Sequence, residues 1–403
     1  MNSSQNPPPV PDVPPLPEGT RLVHIGPHKT GTTSIQGALF EKRDELAGHG
    51  VHFPGDDRHP MHAALAATAR PSMMGDAAPK EAHWLRLLRQ VEDGGDRRTV
   101  ISSEFFADAD EAAVERVVRD LGGDRVRIVV TLRPLAKILP SQWQQYVQNG
   151  LRMGYEDWLR HMLRKAPYEQ PTPSFWRRHR HAELIERWSG VVGPDRVTVI
   201  MVDDRERDML ARVFERLLDL PAGLLEPVTD AANRSLTLGE AELVREFNIL
   251  FRASDLPERL YSRLIRYGAV PGMKTRWQPT EDTPRIITPE WAGRRAAEIG
   301  EEVAGRVAEL GVRVVGDPAV IATAGGSVGA TGGPPTLSPA VAAEALFGAV
   351  RAGGGQLMTA TGTPAAGDGR MVREVTSREL VNVLAARTRR RLRRARRSQP
   401  GRD

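Results

Sequence analysis

The chain has 403 residues, 40% of them apolar and 27% charged, enough to bury at least one sizeable core and to exclude a fibrous or largely disordered protein. It has no cysteine, which excludes disulfides, thiolate metal sites and cysteine nucleophiles, and its longest apolar runs, such as residues 126–132, are far too short to cross a bilayer. The net charge of +5 belongs to a tail: without the eight arginines between Arg387 and Arg397 the chain sums to −3, a mildly acidic body.

Residues 1–18 are proline-rich and lack apolar periodicity, so they read as an extended, disordered leader. Proline also stands where a secretion signal needs an apolar stretch after a basic start, which makes the cytoplasm the default address. From residue 19 to 318, short β-branched runs alternate with stretches of helical period, the signature of an α/β domain with a central parallel sheet covered by helices in three layers. The expected strands are residues 21–25, 99–103, 125–132 and 196–202, with a short one at 312–315. Helices are expected over residues 32–47, 81–92, 110–121, 141–148, 175–188 and 206–218, followed by a helical second half at 239–252, 257–267 and 288–310. Residues 319–375 turn rich in Gly, Ala and Thr, a flexible linker composition holding one weak helix near 340–350. Residues 376–403 read as a basic C-terminal helix and tail, opened by a capping box from Thr376 to Glu379.

The strongest local signal is RLVHIGPHKTGTTSIQ, residues 21–36, in which a buried strand ends at Gly26 and a tight loop carries Lys29 and Gly31. Thr32, Thr33 and Ser34 then open an amphipathic helix. A helix N-terminus concentrates about half a positive charge on its unpaired N–H groups, and a lysine and hydroxyls beside it hold a phosphate without a metal. In the Walker pattern GxxxxGK[ST] the lysine follows the second glycine, whereas Lys29 precedes Gly31, as K-x-G-T-T. The strand at 125–132 runs into Arg133 rather than an acidic residue, so the magnesium chemistry of a nucleoside triphosphatase lacks its ligands. A second anion site is suggested by RIVVTLRPLAKILPSQWQQYVQNG, residues 127–150, where Arg133 ends a strand and Ser141 follows eight residues later. Each segment alone also fits a blander use: a Gly/Thr turn capping a helix, and an arginine paired with a carboxylate beside a capping serine.

Together, K-x-G-T-T after the first strand and R-x7-S after a later strand resemble the cofactor signature of sulfotransferases that use 3′-phosphoadenylyl sulfate (PAPS). The wording HIGPHKTGTTSIQ, with ISSEFF, ERW…GPDRVTVI and ANRSL, resembles a bacterial branch nearer the carbohydrate sulfotransferases. The resemblance spans residues 21–318 and implies a P-loop-like fold. It also implies transfer of a sulfuryl group from PAPS to a hydroxyl or amine of a small molecule or glycan, such as a carbohydrate or glycolipid. On that resemblance Lys29, Thr30, Gly31, Thr32, Thr33 and Ser34 hold the 5′-phosphosulfate, and Arg133 and Ser141 hold the 3′-phosphate. Many cytosolic relatives carry an aromatic residue directly after the Thr-Thr pair, where this chain has Ser34, so an adenine-stacking ring has to come from elsewhere. Trp143, Phe175 and Trp176 are candidates, and core packing is their ordinary use.

Sulfuryl transfer needs a group to take the acceptor's proton and a cation for the leaving charge. Lys29 fits the second role. Glu104 is the chosen base: it follows TVISS at the same sheet edge as Gly26 and Arg133, and Phe105 and Phe106 beside it are expected to raise its pKa. In carbohydrate sulfotransferases, the resemblance suggests, a glutamate after the corresponding strand acts as base. A salt bridge or a helix cap is the competing use. His28 in the anion loop, and His52, His59 and His62 after the first helix, are rival bases, with His62 the first of them to test. Asn233, Arg234 and Ser235 form a polar cluster that a turn before Thr237 explains equally well. The histidines lack zinc-site spacing, so no metal is expected. The rival functions are a P-loop ATP-dependent small-molecule kinase and a nonenzymatic anion-binding module tethered by the basic tail. That tail suits peripheral contact with an anionic membrane or an acidic partner. With no aromatic residue among its arginines, no specific nucleic acid is expected.

Overall fold

The β-branched runs form a six-stranded sheet in a computed structural model of the chain: β1 Arg21–Ile25, β2 Val51–His52, β3 Arg98–Ser102, β4 Val126–Leu132, β5 Val197–Met201 and β6 Arg313–Val315. The structure describes residues 13–71, 79–165, 170–226, 234–254, 256–324 and 337–360, with side chains to residue 353 in the last segment. The chain divides into two units, residues 1–349 and 350–403. Of the second, only a helical stretch to residue 360 is described, so the expected basic helix at 376–403 lies outside the described residues.

All strand pairs are parallel, in the order β2-β3-β1-β4-β5-β6. Every residue of β1 and β5 is buried, as in a parallel strand covered on both faces, and in β1 that includes Arg21 and His24. The chain leaves β1 for β2 and β3 on one side and returns to β4 on the other. The C-terminal end of β1 is therefore a topological switch point, where diverging crossovers open a crevice. Register sets the three strand ends level there, with His24 opposite both Ser102 and Val129, and Ile25 opposite Val130.

The helices are α1 Thr32–Glu41, α2 Arg43–Gly48, α3 Met61–Ala67, α4 Ala82–Glu92, α5 Glu111–Asp120, α6 Leu135–Gln148, α7 Tyr155–Leu163, α8 Ser174–His179, α9 His181–Val192, α10 Met209–Leu218, α11 Leu238–Arg252, α12 Glu258–Tyr261, α13 Val270–Arg276, α14 Glu290–Glu309 and α15 Pro339–Ala360. Leu39, Leu46 and Phe214 from α1, α2 and α10 pack on Leu22, Val100 and Val129. Trp84, Val114, Trp188 and Val307 from α4, α5, α9 and α14 belong to the cluster on the other face, with Val23, Ile101 and Ile128. Adjacent residues of one strand thus serve opposite layers, as a period of two requires. A separate helical cluster, around Trp143, Trp158, Phe175 and Tyr261, holds the second half together and takes in Val341 and Ala345 at the start of α15.

Five expectations need correction. The helix expected at 32–47 breaks at Lys42 into α1 and α2. The one expected at 175–188 breaks at Arg180 into α8 and α9. The helix expected from Ser141 starts at Leu135, with Pro140 inside it: burial of Leu135, Ala136, Ile138 and Leu139 outweighs the ~3 kcal/mol that an interior proline costs. Residues 13–18, read as part of the disordered leader, are pinned. Val13 is buried, Leu16 donates its N–H to the Leu217 carbonyl at 2.9 Å, and Arg98 Nε donates to the Leu16 carbonyl at 2.7 Å. Residues 319–322, read as linker, form the end of a 3-10 turn, Pro318–Ala322, that buries Val320 and Ile321. A Cβ on Gly300 of α14 would lie 2.1 Å from the Ile321 carbonyl, so only glycine permits that approach.

Trp158 anchors the helical cluster. It is fully buried, donates its indole N–H to Thr172 Oγ1 at 2.9 Å and meets Phe175 edge-on at 5.3 Å. Trp158→Ala should lower unfolding stability by about 3–5 kcal/mol in urea titration.

Candidate active site

The loop after β1 owes its shape to two residues in the left-handed region, Lys29 at φ 73° and Gly31 at φ 96°. For lysine that conformation costs on the order of 1 kcal/mol, so neighbours must hold it. Thr30 does so. Its hydroxyl donates to the Pro27 carbonyl at 2.8 Å and lies 2.9 Å from Thr131 Oγ1 on β4. His24 Nε2 is 3.3 Å from the same Thr131 oxygen, and His24 Nδ1 is 2.8 Å from Ser102 Oγ on β3. Burial pushes the His24 pKa down to about 3, against the opposing charge of Glu104, so the ring is neutral. One proton order satisfies the chain: Ser102 donates to His24 Nδ1, Nε2–H to Thr131, Thr131 to Thr30, and Thr30 to Pro27. Thr32 turns inward too, donating to the Gly26 carbonyl at 3.0 Å, and a Cβ on Gly26 would fall 1.8 Å from that hydroxyl. Thr30 and Thr32 therefore contribute shape, their hydroxyls already engaged. Thr33 is exposed and Ser34 half-buried, and Gly31 stands at the N-cap of α1, so no side chain caps its first turn.

Arg133, on the segment after β4, reaches this loop. Its Nη1 donates to the Lys29 carbonyl at 3.3 Å. Nη2 and Nε donate to Asp204 Oδ2 at 2.5 and 3.2 Å, so the arginine is also paired with a carboxylate. Asp204 follows β5 and was not singled out from the sequence, where nothing links it to a residue 71 positions earlier. Thr30, Gly31, Ser34 and Arg133 share the wall of a cavity of about 250 Å³ between α1 and α10. Ser141 does not line it, and neither does the Lys29 side chain.

On the other side of the loop stands Glu104, first residue of a 3-10 turn, Glu104–Asp108, that Ser103 caps by accepting the Phe105 N–H. Glu104 Oε2 lies 2.6 Å from His59 Nε2, and Oε1 lies 4.0 Å from His28 Nδ1. The expectation that Phe105 and Phe106 raise its pKa is corrected. Burial alone does push it up, but the His59 hydrogen bond, the charges of His59 and His28 and a backbone hydrogen bond together hold it at about 2. Glu104 is a carboxylate at any ordinary pH. Burial lowers the Lys29 pKa, with the Glu104 charge opposing it. His28 is held at about 3, first by burial and then by Arg178, and its ring meets Phe105 edge-on at 5.2 Å.

Among the rival bases, His59 alone is bonded to Glu104. His52 Nε2 donates to the Gln90 carbonyl at 2.7 Å, and the His62 ring packs 5.3 Å from His83. Behind Phe105, buried Asp108 accepts from Arg178 Nε and Nη2 at 3.0 and 2.7 Å and from Arg177 Nε at 3.0 Å, tying α8 to the turn. This pair was not read from the sequence, since no spacing rule joins residues 70 apart. Arg234 points inward, onto Glu240 and the carbonyls of Met273, Lys274 and Trp277, and Asn233 lies outside the described residues. Trp143, Phe175 and Trp176 are core residues. Among the described residues no three His, Asp or Glu side chains are grouped to hold a metal ion, and no helix is long and apolar enough to cross a membrane.

No family model matches the chain, and no curated protein matches it. Among solved structures, the sulfotransferase from Alicyclobacillus acidocaldarius aligns with 61% of this chain and 96% of its own, at 18% identity and a TM-score of 0.39.

Glu104 also makes a pH prediction. A carboxylate whose folded pKa is depressed to about 2 adds stability above its unfolded value, near 4.5, and loses it as pH falls through that interval. Glu104→Gln should cost on the order of 3 kcal/mol at neutral pH, and its difference from the parent chain should shrink steadily between about pH 4.5 and 2 in denaturant titrations.

Proposed function

We propose that the chain is a sulfotransferase that moves a sulfuryl group from PAPS to a hydroxyl or amine acceptor, a small molecule or glycan of the kind the carbohydrate branch uses. The observation that carries this reading is the bond from Arg133 to the Lys29 carbonyl: the two segments of the signature meet at the switch point, on one shared cavity. Glu104 closes the other side of the same loop, within reach of the Lys29 charge and 4.0 Å from the His28 ring.

When bound, the donor supplies an activated sulfuryl group on a phosphate leaving group. The uncapped start of α1, with Thr33 and Ser34 on its first turn, offers N–H and hydroxyl donors to the phosphosulfate. Lys29 meets the leaving charge, and its partly desolvated ammonium does so more strongly than an exposed one. Arg133 takes the 3′-phosphate with the guanidinium protons that Asp204 and the Lys29 carbonyl leave over. Ser141, half-buried on α6, is assigned to the same phosphate by the signature alone. The Glu104 carboxylate, with His59 bonded to it, makes the end of β3 the place where the acceptor's proton is taken up.

Calorimetry with 3′-phosphoadenosine 5′-phosphate should show tight binding without metal, and ATP with magnesium should bind far more weakly. Arg133→Ala should weaken the former by about tenfold or more, because a partly exposed guanidinium still gives a phosphate charge-assisted hydrogen bonds. Lys29→Ala should abolish release of sulfate from labelled PAPS. Unchanged affinity in Arg133→Ala counts against the site.

A further inference from the structure

Glu104 does not stand alone at the end of β3. His59, on the segment between β2 and α3, places Nε2 2.6 Å from Glu104 Oε2, and the two side chains are 24% and 20% exposed, so both are open to a substrate. An ionised carboxylate carries lone pairs and no proton, so the hydrogen in this bond belongs to His59 Nε2. A neutral imidazole with its proton on Nε2 presents a lone pair at Nδ1. The ring is steadied by Phe105, whose centroid lies 5.7 Å away. The groups facing the pair are Glu104 itself, His28 and Lys29 from the loop after β1, and Arg178 from α8 across the Phe105 ring. With the Lys29 and Arg178 cations near it and His59 bonded to Oε2, Glu104 stays ionised, which leaves the Nδ1 lone pair of His59 as the second proton acceptor at this edge of the site.

We propose that His59 Nδ1 is the atom that takes the acceptor's proton, and that Glu104 is a positioning residue that fixes the ring's tautomer and steadies the imidazolium. This rests on reading the site as one for sulfuryl transfer. In the step, the acceptor oxygen forms a bond to sulfur while the bond between sulfur and the bridging oxygen of PAPS breaks. That electron pair stays on the phosphate beside Lys29, and the hydroxyl or amine proton passes to His59 Nδ1. The imidazolium, bonded to Glu104 through Nε2, then releases a proton to water.

The test uses the full chain with nitrogen-labelled histidine. Long-range proton–nitrogen spectra near pH 7 should show His59 carrying its proton on Nε2 with Nδ1 free, and Glu104→Gln should abolish that preference for Nε2. His59→Asn should keep the affinity for 3′-phosphoadenosine 5′-phosphate within about twofold. It should also lower release of that product from PAPS, with water or p-nitrophenol as acceptor, by about 100-fold or more. A His59 that is already an imidazolium, or carries its proton on Nδ1, overturns the assignment. So does His59→Asn turning over within about threefold of the parent chain while Glu104→Gln does not. The spectra need no acceptor, so they decide the tautomer even if turnover is slow. Failure of 3′-phosphoadenosine 5′-phosphate to bind removes the sulfuryl-transfer reading and this step with it, whereas a wrong tautomer with binding intact removes this step alone.

Discussion

A relay of hydroxyls and one imidazole, from Ser102 through His24 and Thr131 to Thr30, fastens three neighbouring strands to a single loop. It works because His24 is neutral: a ring with both nitrogens protonated could not accept from Ser102. Each link is an ordinary hydrogen bond, contributing about 1 kcal/mol, but cutting one strands a buried polar group at a cost of about 1–3 kcal/mol. The unusual backbone of Lys29 persists because this relay and the Gly26–Thr32 contact leave the loop no alternative. What flanks the loop on either side inherits its position from that constraint.

The loop separates two electrostatic settings. On the β3 side, a buried ammonium, a carboxylate and two histidines lie close together, and the carboxylate wins the competition between desolvation and neighbouring charge. On the β4 and β5 side, a half-exposed arginine is shared between a backbone carbonyl and Asp204. On the function proposed above, chemistry that handles a proton belongs to the first setting, and recognition of a fixed anion belongs to the second. The Arg178–Asp108 pair stiffens the first from behind, since a buried guanidinium and carboxylate with several mutual hydrogen bonds tolerate little movement.

The parallel sheet was legible because β1, β3, β4 and β5 are almost wholly buried and rich in β-branched residues, and the loop was legible because its lysine, glycine and threonines are contiguous. The two-residue β2 gave no run to detect, and α7 lies in a stretch for which no element was expected. Pro140 misplaced the start of α6 because a local rule was applied where burial decides. The Glu104 environment was misread for a related reason. Its sequence neighbours are phenylalanines, but the groups that set its charge come from residues 28, 29 and 59, and only the fold brings those together. Asp204 and Arg178 were invisible on the same ground: pairs 70 or so residues apart leave no spacing to read.

Because Asp204 already neutralises Arg133 at contact distance, an incoming anion has to compete with a resident carboxylate rather than meet a bare cation. At equal separation a singly charged rival matches that carboxylate and gains nothing, while a doubly charged one has twice the Coulombic attraction. The arrangement therefore acts as a valence filter. On the proposed function, it favours a doubly charged phosphate over chloride and other common monoanions at the arginine.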